Sequence, residues 1–338
     1  MQVVITGGAG FIGAYLTHRL VQLGRLRDAE GVEREIERVT VLDPSIATAE
    51  VRVGCGGIPV HLCPGSVSDR QEILSTFAHP VVSVFHLATL LPGRTERDLS
   101  AALEVNVGGT NNVLEALRTG ASAGKFVSAS TVALYTRSGD APIRDGEHFS
   151  PTTIYGLTKS IGEQFAEAYR IGTGLDVSGV RFPTVVIRPR SVPSSAGSAL
   201  SDLLREISLG RDAIVRVHPE TAVLVSDYQT CVDGMIRVHD APADKIASNR
   251  FVNFSGVTVT VEEMIEAAAR AARSAGRKPG GSKLDHDPFL QTTMNKWPTK
   301  VEGIQADALE VPVTPDLDGI CERFLEDYES FWKSSTAL

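Results

Sequence analysis

Tyr155 and Lys159 stand four residues apart in SPTTIYGLTKSIGEQF, at the start of an amphipathic stretch, so on a helix they share one face. An ammonium beside a phenol favours the phenolate. At about 5 Å and an effective dielectric near 20 the attraction is roughly 3 kcal/mol, about two pKa units. That would bring a tyrosine towards neutral pH, where it can take or give the proton of a substrate hydroxyl. Shortly before it lies a hydroxyl cluster, Ser128, Ser130 and Thr131, at the end of the apolar run KFVSAS. A hydroxyl there can hold the substrate oxygen against the phenol. Thr131 is the first choice and Ser130 the second. The expected catalytic set is Thr131, Tyr155 and Lys159.

These groups need something to act with, and the first residues suggest what. In MQVVITGGAGFIGAYLTHRL an apolar strand runs into Gly7, Gly10 and Gly13, and a helix follows. Glycine permits a positive φ at the turn, lets a pyrophosphate approach the backbone and allows close helix–strand packing. The helix N-terminus adds free N–H groups and a partial positive charge. Asp43 ends the second strand, RVTVLD. It would accept hydrogen bonds from an adenosine ribose and repel a 2′-phosphate, which favours NAD over NADP. It lies 30 residues past Gly13, beyond the usual ~20, because RLRDAEGVEREIE is inserted between them.

Further along, apolar strands alternate with helices. IPVHLCPG, VVSVFHLA, KFVSAS and LDVSGVRFPTVVI read as strands three to six. The interleaved helices are 69–77, ALEVNVGGTNNVLEALRTG and YGLTKSIGEQFAEAYRIG. Strands with little alternation, separated by helices, imply a parallel sheet covered on both faces, hence an α/β doubly wound Rossmann fold. After residue 190 the pattern loosens into a Pro/Ser/Gly loop. A helix, LSDLLREISLG, a strand pair near 213–226 and two late helices follow. The expected organisation is a dinucleotide domain, 1–180 with a returning segment around 221–255, and a smaller α/β substrate domain, 181–220 and 256–338.

Composition excludes several functions. The 338 residues carry a net charge of −8, and no basic cluster suggests a nucleic-acid or anionic-membrane surface. No apolar run reaches the roughly 18 residues of a membrane span. The N-terminus lacks a secretory leader pattern, so a cytoplasmic location is expected. Cys55, Cys63, Cys231 and Cys321 show no C-x-x-C spacing and read as reduced thiols. The eight histidines, His79 among them, have no ligand-like spacing, so no metal is expected. RLRDAEGVEREIER reads as a solvated helix or loop.

TGGAGFIG, VFHLA, NVGGTNNVLEA, YGLTK and RFPTVVIRP, in this order and spacing, resemble the extended short-chain dehydrogenase/reductase superfamily, which contains the NAD-dependent epimerases and dehydratases. The resemblance implies that Gly7, Gly10, Phe11, Ile12 and Gly13 border the pyrophosphate and Ser66 and Val67 the adenine. It implies that Leu87, Ala88 and Thr89 line the cofactor cleft, that Asn106 supports it, and that Pro183 and Thr184 lie by the nicotinamide. Ser130, Tyr155 and Lys159 complete this set. Dehydratases of the superfamily follow their active-site Thr with Asp-Glu, whereas Thr131 is followed by Val132 and Ala133. RFPTVVIRP, SDLLREISLG and DPFLQTTMNKWP look instead like the D-erythronate dehydrogenase branch. The chain departs from that branch at VALYT, at RPRSVPSS and at Gln229. The implied function is hydride transfer between NAD and a secondary alcohol of a small hydroxylated molecule such as a sugar acid. The alternatives are a sugar-nucleotide 4-epimerase and a non-catalytic NAD-binding protein. Arg188 and Arg190 are the nearest cations in sequence for an anionic substrate. The resemblance also implies a homodimer, pairing helices 101–118 and 154–170.

Overall fold

Side chains alternate across the first strand, with Val3 and Ile5 in one apolar cluster and Val4 in another, so both faces of the strand are buried. The same holds through the central sheet of this computed structural model. It describes residues 1–47, 49–53, 57–77, 81–120, 124–136, 141–190, 196–246 and 250–333, with the side chains of 49–53 and 81–82 outside the description. Cys55, His79 and the loop residues 191–195 lie outside the described residues.

Eight strands form the sheet in the order Phe251–Asn253, Asp176–Phe182, Lys125–Thr131, Val81–His86, Gln2–Thr6, Arg38–Leu42, Ile58–Cys63 and Ala49–Val53. All neighbours are parallel except the last pair. Helices Phe11–Leu23 and Tyr228–Asp240 pack together over one face. Helices Arg70–Thr76, Gly109–Gly120 and Ile154–Thr173 cover the other through Ile73, Val113, Leu117 and Ala166. This is the doubly wound fold. Its strand order reverses between Gln2–Thr6 and Val81–His86, the position where such sheets open a ligand crevice at the carboxyl ends of the strands.

A second core lies beyond the sheet. Strands Thr184–Val186, Ala222–Asp227 and Val257–Thr260 form a small mixed sheet. Helices Ala196–Ser208, Val261–Ser274 and Leu317–Asp327 enclose it around Leu204, Met264, Ala268 and Phe324. From Tyr228 the chain returns to the large sheet, which it completes with Phe251–Asn253.

Several local expectations need correction. The sixth strand is two strands, because Pro183, lacking an N–H, ends Asp176–Phe182 and the chain continues at Thr184 in the small sheet. The expected strand pair near 213–226 is not a pair. Ala213–Val215 bonds to Ser282–Leu284, and Ala222–Asp227 bonds to strands 184–186 and 257–260. The insert expected as helix or loop is a hairpin of Arg25–Arg27 and Glu33–Glu35. Its turn is held by Asp28, whose Oδ1 accepts from the N–H groups of Glu30 and Val32 at 2.9 Å each. The long helix near 101–119 widens into π-type turns over Leu103–Gly108.

Candidate active site

The three glycines of the turn do different things. Gly7 has φ +70°, and a Cβ there would meet the Ala88 nitrogen at 2.6 Å across the point where strand order reverses. A Cβ on Gly13 would stand 2.5 Å from both the Gly7 oxygen and the Gly8 Cα, so only glycine lets the helix start this close to the turn. A Cβ on Gly10 would meet only the Gly7 oxygen, at 3.2 Å; its open side belongs to the cleft. Gly10 caps the helix Phe11–Leu23 without any side-chain hydrogen bond. The helices that begin after Thr153, Asp227, Thr260 and Asp316 all take a side-chain oxygen there. The uncapped N–H groups and helix dipole therefore face the cleft and suit a phosphate anion.

Asp43 sits beside this turn, nearly buried. Its Oδ2 accepts from the Ala9 N–H at 3.2 Å, and its Oδ1 accepts from the Ser45 N–H at 2.9 Å and the Ser45 hydroxyl at 2.6 Å. A carboxylate has about four acceptor positions, so capacity remains for ribose hydroxyls. Ser66 and Val67 line the same end, with the Ser66 N–H donating to Glu72 Oε2 at 2.7 Å. Leu87, Ala88 and Thr89 form the opposite wall. Asn106 lies behind that wall, buried in the π-type turns. Its side chain clamps the Leu90 backbone, accepting from its N–H at 2.7 Å and donating to its carbonyl at 3.2 Å. His86 ties Thr6 (2.8 Å) to Thr110 (3.0 Å) below the cleft floor; burial pushes its pKa down to about 3, helped by the Lys159 charge, so it stays neutral.

At the other end, Thr131 closes its strand and Tyr155 opens its helix. Gly156 brings them together: a Cβ there would lie 2.4 Å from the Ala133 carbonyl, and the helix is capped by Thr153, whose Oγ1 accepts from the Gly156 N–H at 3.0 Å. Thr131 Oγ1 accepts from the Ala133 N–H at 3.1 Å, which leaves its own proton to donate into the cleft. Ser130 differs. It borders the cleft, but its hydroxyl donates to the buried carboxylate of Glu163.

The pair expected to lower the tyrosine pKa does not do so. Burial pushes the Tyr155 phenol up to about 12, and the cation that opposes the rise is Arg188. Lys159 is itself buried, does not border the cleft, and falls to about 8, with Glu163 resisting the fall. The cause is position. Lys159 is one turn from Glu163 on its own helix and feels that carboxylate, while burial dominates at the phenol.

Glu163 was not singled out by the sequence reading, although the spacing 155, 159, 163 puts it on the same helix face. It pairs with the fully buried Arg181, Nη2 to Oε2 at 2.7 Å and Nε to Oε1 at 3.0 Å. Arg181 also donates to the Phe251 carbonyl and to Asn253 Oδ1, each at 3.2 Å, and stacks over Phe149. This network holds Ser130 through Glu163, whose charge also acts on Lys159.

The cleft between these ends has a volume of about 960 Å³. Pro183 and Thr184 line it between the two cores, and Met294, Trp297 and Trp332 reach it from the C-terminal region. Among the described residues no group of three His, Cys, Asp or Glu side chains could hold a metal, and no helix is long and apolar enough to cross a membrane.

A dinucleotide-type turn, an acidic residue ending the second strand and a Thr–Tyr pair at the carboxyl edge of one doubly wound sheet define an extended short-chain dehydrogenase/reductase. The chain belongs to the NAD dependent epimerase/dehydratase family, whose pattern matches residues 3–251. It is an NAD-dependent enzyme of that family. It is 28% identical to a D-erythronate dehydrogenase of Cupriavidus necator over 97% of this chain and 98% of that one. It is 26% identical to the D-erythronate dehydrogenase of Haemophilus influenzae, covering 96% and 99%. Among solved structures, a nucleoside-diphosphate-sugar epimerase from Agrobacterium tumefaciens superposes with a TM-score of 0.84 at 25% identity, covering 98% of this chain and 95% of that one.

Proposed function

We propose that the protein oxidises the secondary alcohol of a small sugar acid, of the D-erythronate type, to the ketone. The observation that carries this reading is the pairing of the Thr131 hydroxyl and Tyr155 at the cleft, with Val132 and Ala133 where an elimination would need an acid and a base. Thr131 donates to the substrate oxygen, and Tyr155, as the phenolate that the Arg188 charge favours against burial, takes the hydroxyl proton. NAD, when bound, supplies the hydride acceptor at nicotinamide C4. The uncapped turn Gly7–Gly13 holds the diphosphate, and Asp43 the adenosine ribose. Ser66 and Val67 border the adenine. Leu87, Ala88, Thr89, Pro183 and Thr184 enclose the nicotinamide half, and Asn106 braces it. Lys159 supports the nicotinamide half from behind the cleft wall, and Ser130 shapes that wall through Glu163.

In this reading residues 1–180, with the returning segment, serve the cofactor, and 181–220 with 256–338 serve the substrate. The enzyme acts in the cytoplasm as a homodimer. The apolar side chains of Leu99, Leu103 and Leu157, exposed on the outer faces of the two helical segments concerned, support that pairing. The test is NADH formation at 340 nm with four-carbon aldonates and NAD. NADH should accumulate in proportion to acid consumed. Interconversion of sugar nucleotides without net NADH would replace this reading with the epimerase one.

A further inference from the structure

The protein is acidic overall, yet the described residues lining its cleft include four cations, Arg94, Arg188, Arg190 and Lys333, against the single carboxylate of Asp43. Arg188 differs from the others in its setting. Its Nε is buried with no hydrogen-bond partner, and among the described residues no carboxylate pairs with it. Asp202, whose charge it feels, is already paired with Arg205 at 2.7 Å. Arg205 also donates to the Arg188 carbonyl at 3.0 Å and so fixes its backbone. The guanidinium rests over the Phe11 ring, 5.8 Å from its centroid, a contact that uses none of its five N–H groups.

A second unmatched donor lines the same cleft. Trp297 Nε1 is buried without a hydrogen-bond partner among the described residues. Trp297 also borders a smaller cavity of about 140 Å³ that reaches Tyr155. Arg and Trp can only donate, so the group that satisfies them must accept, and a carboxylate, which accepts at both oxygens and carries the opposite charge, does so best. A buried donor left unmatched is costly, which favours a ligand that supplies the acceptor. The diphosphate of NAD has its own receptor at the uncapped helix, and the charge of Arg188 falls on the phenol that moves the proton.

We propose that Arg188, with Trp297 as second donor, is the receptor for a carboxylate carried next to the reacting carbinol carbon. This rests on the hydroxy-acid reading above. The planar fork of Arg188 matches two carboxylate oxygens, and holding them beside Tyr155 places the adjacent hydroxyl between that phenol and Thr131.

The experiment compares wild type, Arg188→Met, Arg188→Lys and Trp297→Phe on three substrates: a four-carbon aldonate, its uncharged amide and a phosphorylated alditol. NADH affinity and melting temperature are measured for each variant. Arg188→Met should lower kcat/KM for the acid ~100-fold and for the amide less, since the amide loses only the Arg188 charge on Tyr155; the acid-to-amide ratio should fall about tenfold or more, with NADH affinity unchanged. Arg188→Lys should lose about tenfold, keeping the charge but not the fork. Trp297→Phe should lose about five- to tenfold, one neutral donor being removed. If Arg188→Met does not fold, the other two variants decide. An acid-to-amide preference that survives the substitutions overturns the receptor and leaves the hydroxy-acid reading standing. NADH affinity falling as far as acid turnover assigns the guanidinium to the diphosphate and overturns it too. Preference of the wild type for the phosphorylated alditol overturns the carboxylate. A wild type that oxidises no hydroxy acid overturns both readings.

Discussion

At the glycine-turn end of the cleft the wall is main chain. Gly7 and Gly13 sit so close to neighbouring backbone that one added carbon has no room, and the groups facing the cleft are uncapped N–H groups of a single helix start. At the reacting end the wall is side chain. Thr131, Tyr155, Arg188 and Trp297 arrive from four separate stretches; Gly156 allows the first two to approach, and Arg205 fixes the backbone of the third. A main-chain site depends on spacing within one turn and accepts almost no substitution. A side-chain site depends on how distant elements pack, so its chemistry can be retuned one residue at a time.

That contrast can be broken or sharpened. Tyr155→Phe should have the largest effect, removing about 10³-fold or more of kcat while NAD affinity holds, because only the proton-transferring oxygen is lost. Stopped-flow turnover with parallel NAD titration checks it; retained turnover would show that another group moves the proton. Next comes Glu163→Gln. It strips the countercharge from buried Arg181 and should cost about 3–5 kcal/mol of unfolding free energy. Because Glu163 resists the fall of the Lys159 pKa, the variant should also shift that titration below about 8. Denaturant unfolding and a pH–rate profile read the two effects separately.

At the main-chain end, Gly13→Ala should destabilise the fold by roughly 1–3 kcal/mol, since backbone must move. Gly10→Ala should keep its melting temperature and lose NAD affinity, the added carbon pointing into the open cleft. Equal melting temperatures for the two variants would refute the division of labour among the glycines. The smallest effect is in the floor. His86 stays neutral in the fold down to about pH 3, whereas in the unfolded chain it protonates near 6.5. Its contribution is therefore complete above pH 6.5 and is lost as pH falls below that value. Wild type should lose about 1.4 kcal/mol per pH unit more than His86→Gln between pH 6 and 5. Parallel slopes would mean that the ring is protonated in the native state.

What the sequence shows of these two ends follows from the same difference. The glycine turn and Asp43 are legible because their contacts are local or one strand away. Tyr155 and Lys159 are legible because helical spacing places them on one face. Their electrostatics are not, because burial outweighs a neighbouring charge whose direction depends on Glu163. Arg188 is visible only as a nearby cation. What makes it unusual is a buried Nε with no hydrogen-bond partner among the described residues and the ring of Phe11 beneath it, and both arise from packing. Trp297 gives no local signal at all. The hairpin at residues 25–35 is hidden because its strands are largely charged and its turn is made by the side chain of Asp28 rather than by a glycine pair.

Pro183 joins the two ends. One residue separates Asp176–Phe182 of the large sheet from Thr184–Val186, the first strand of the small one, and its ring fixes φ near −65°. A link this short, with its φ fixed, leaves the chain little rotational freedom between the two sheets at this point. On the proposed function, the nicotinamide and the substrate would lie on either side of this residue, and their separation would be set by its fixed geometry.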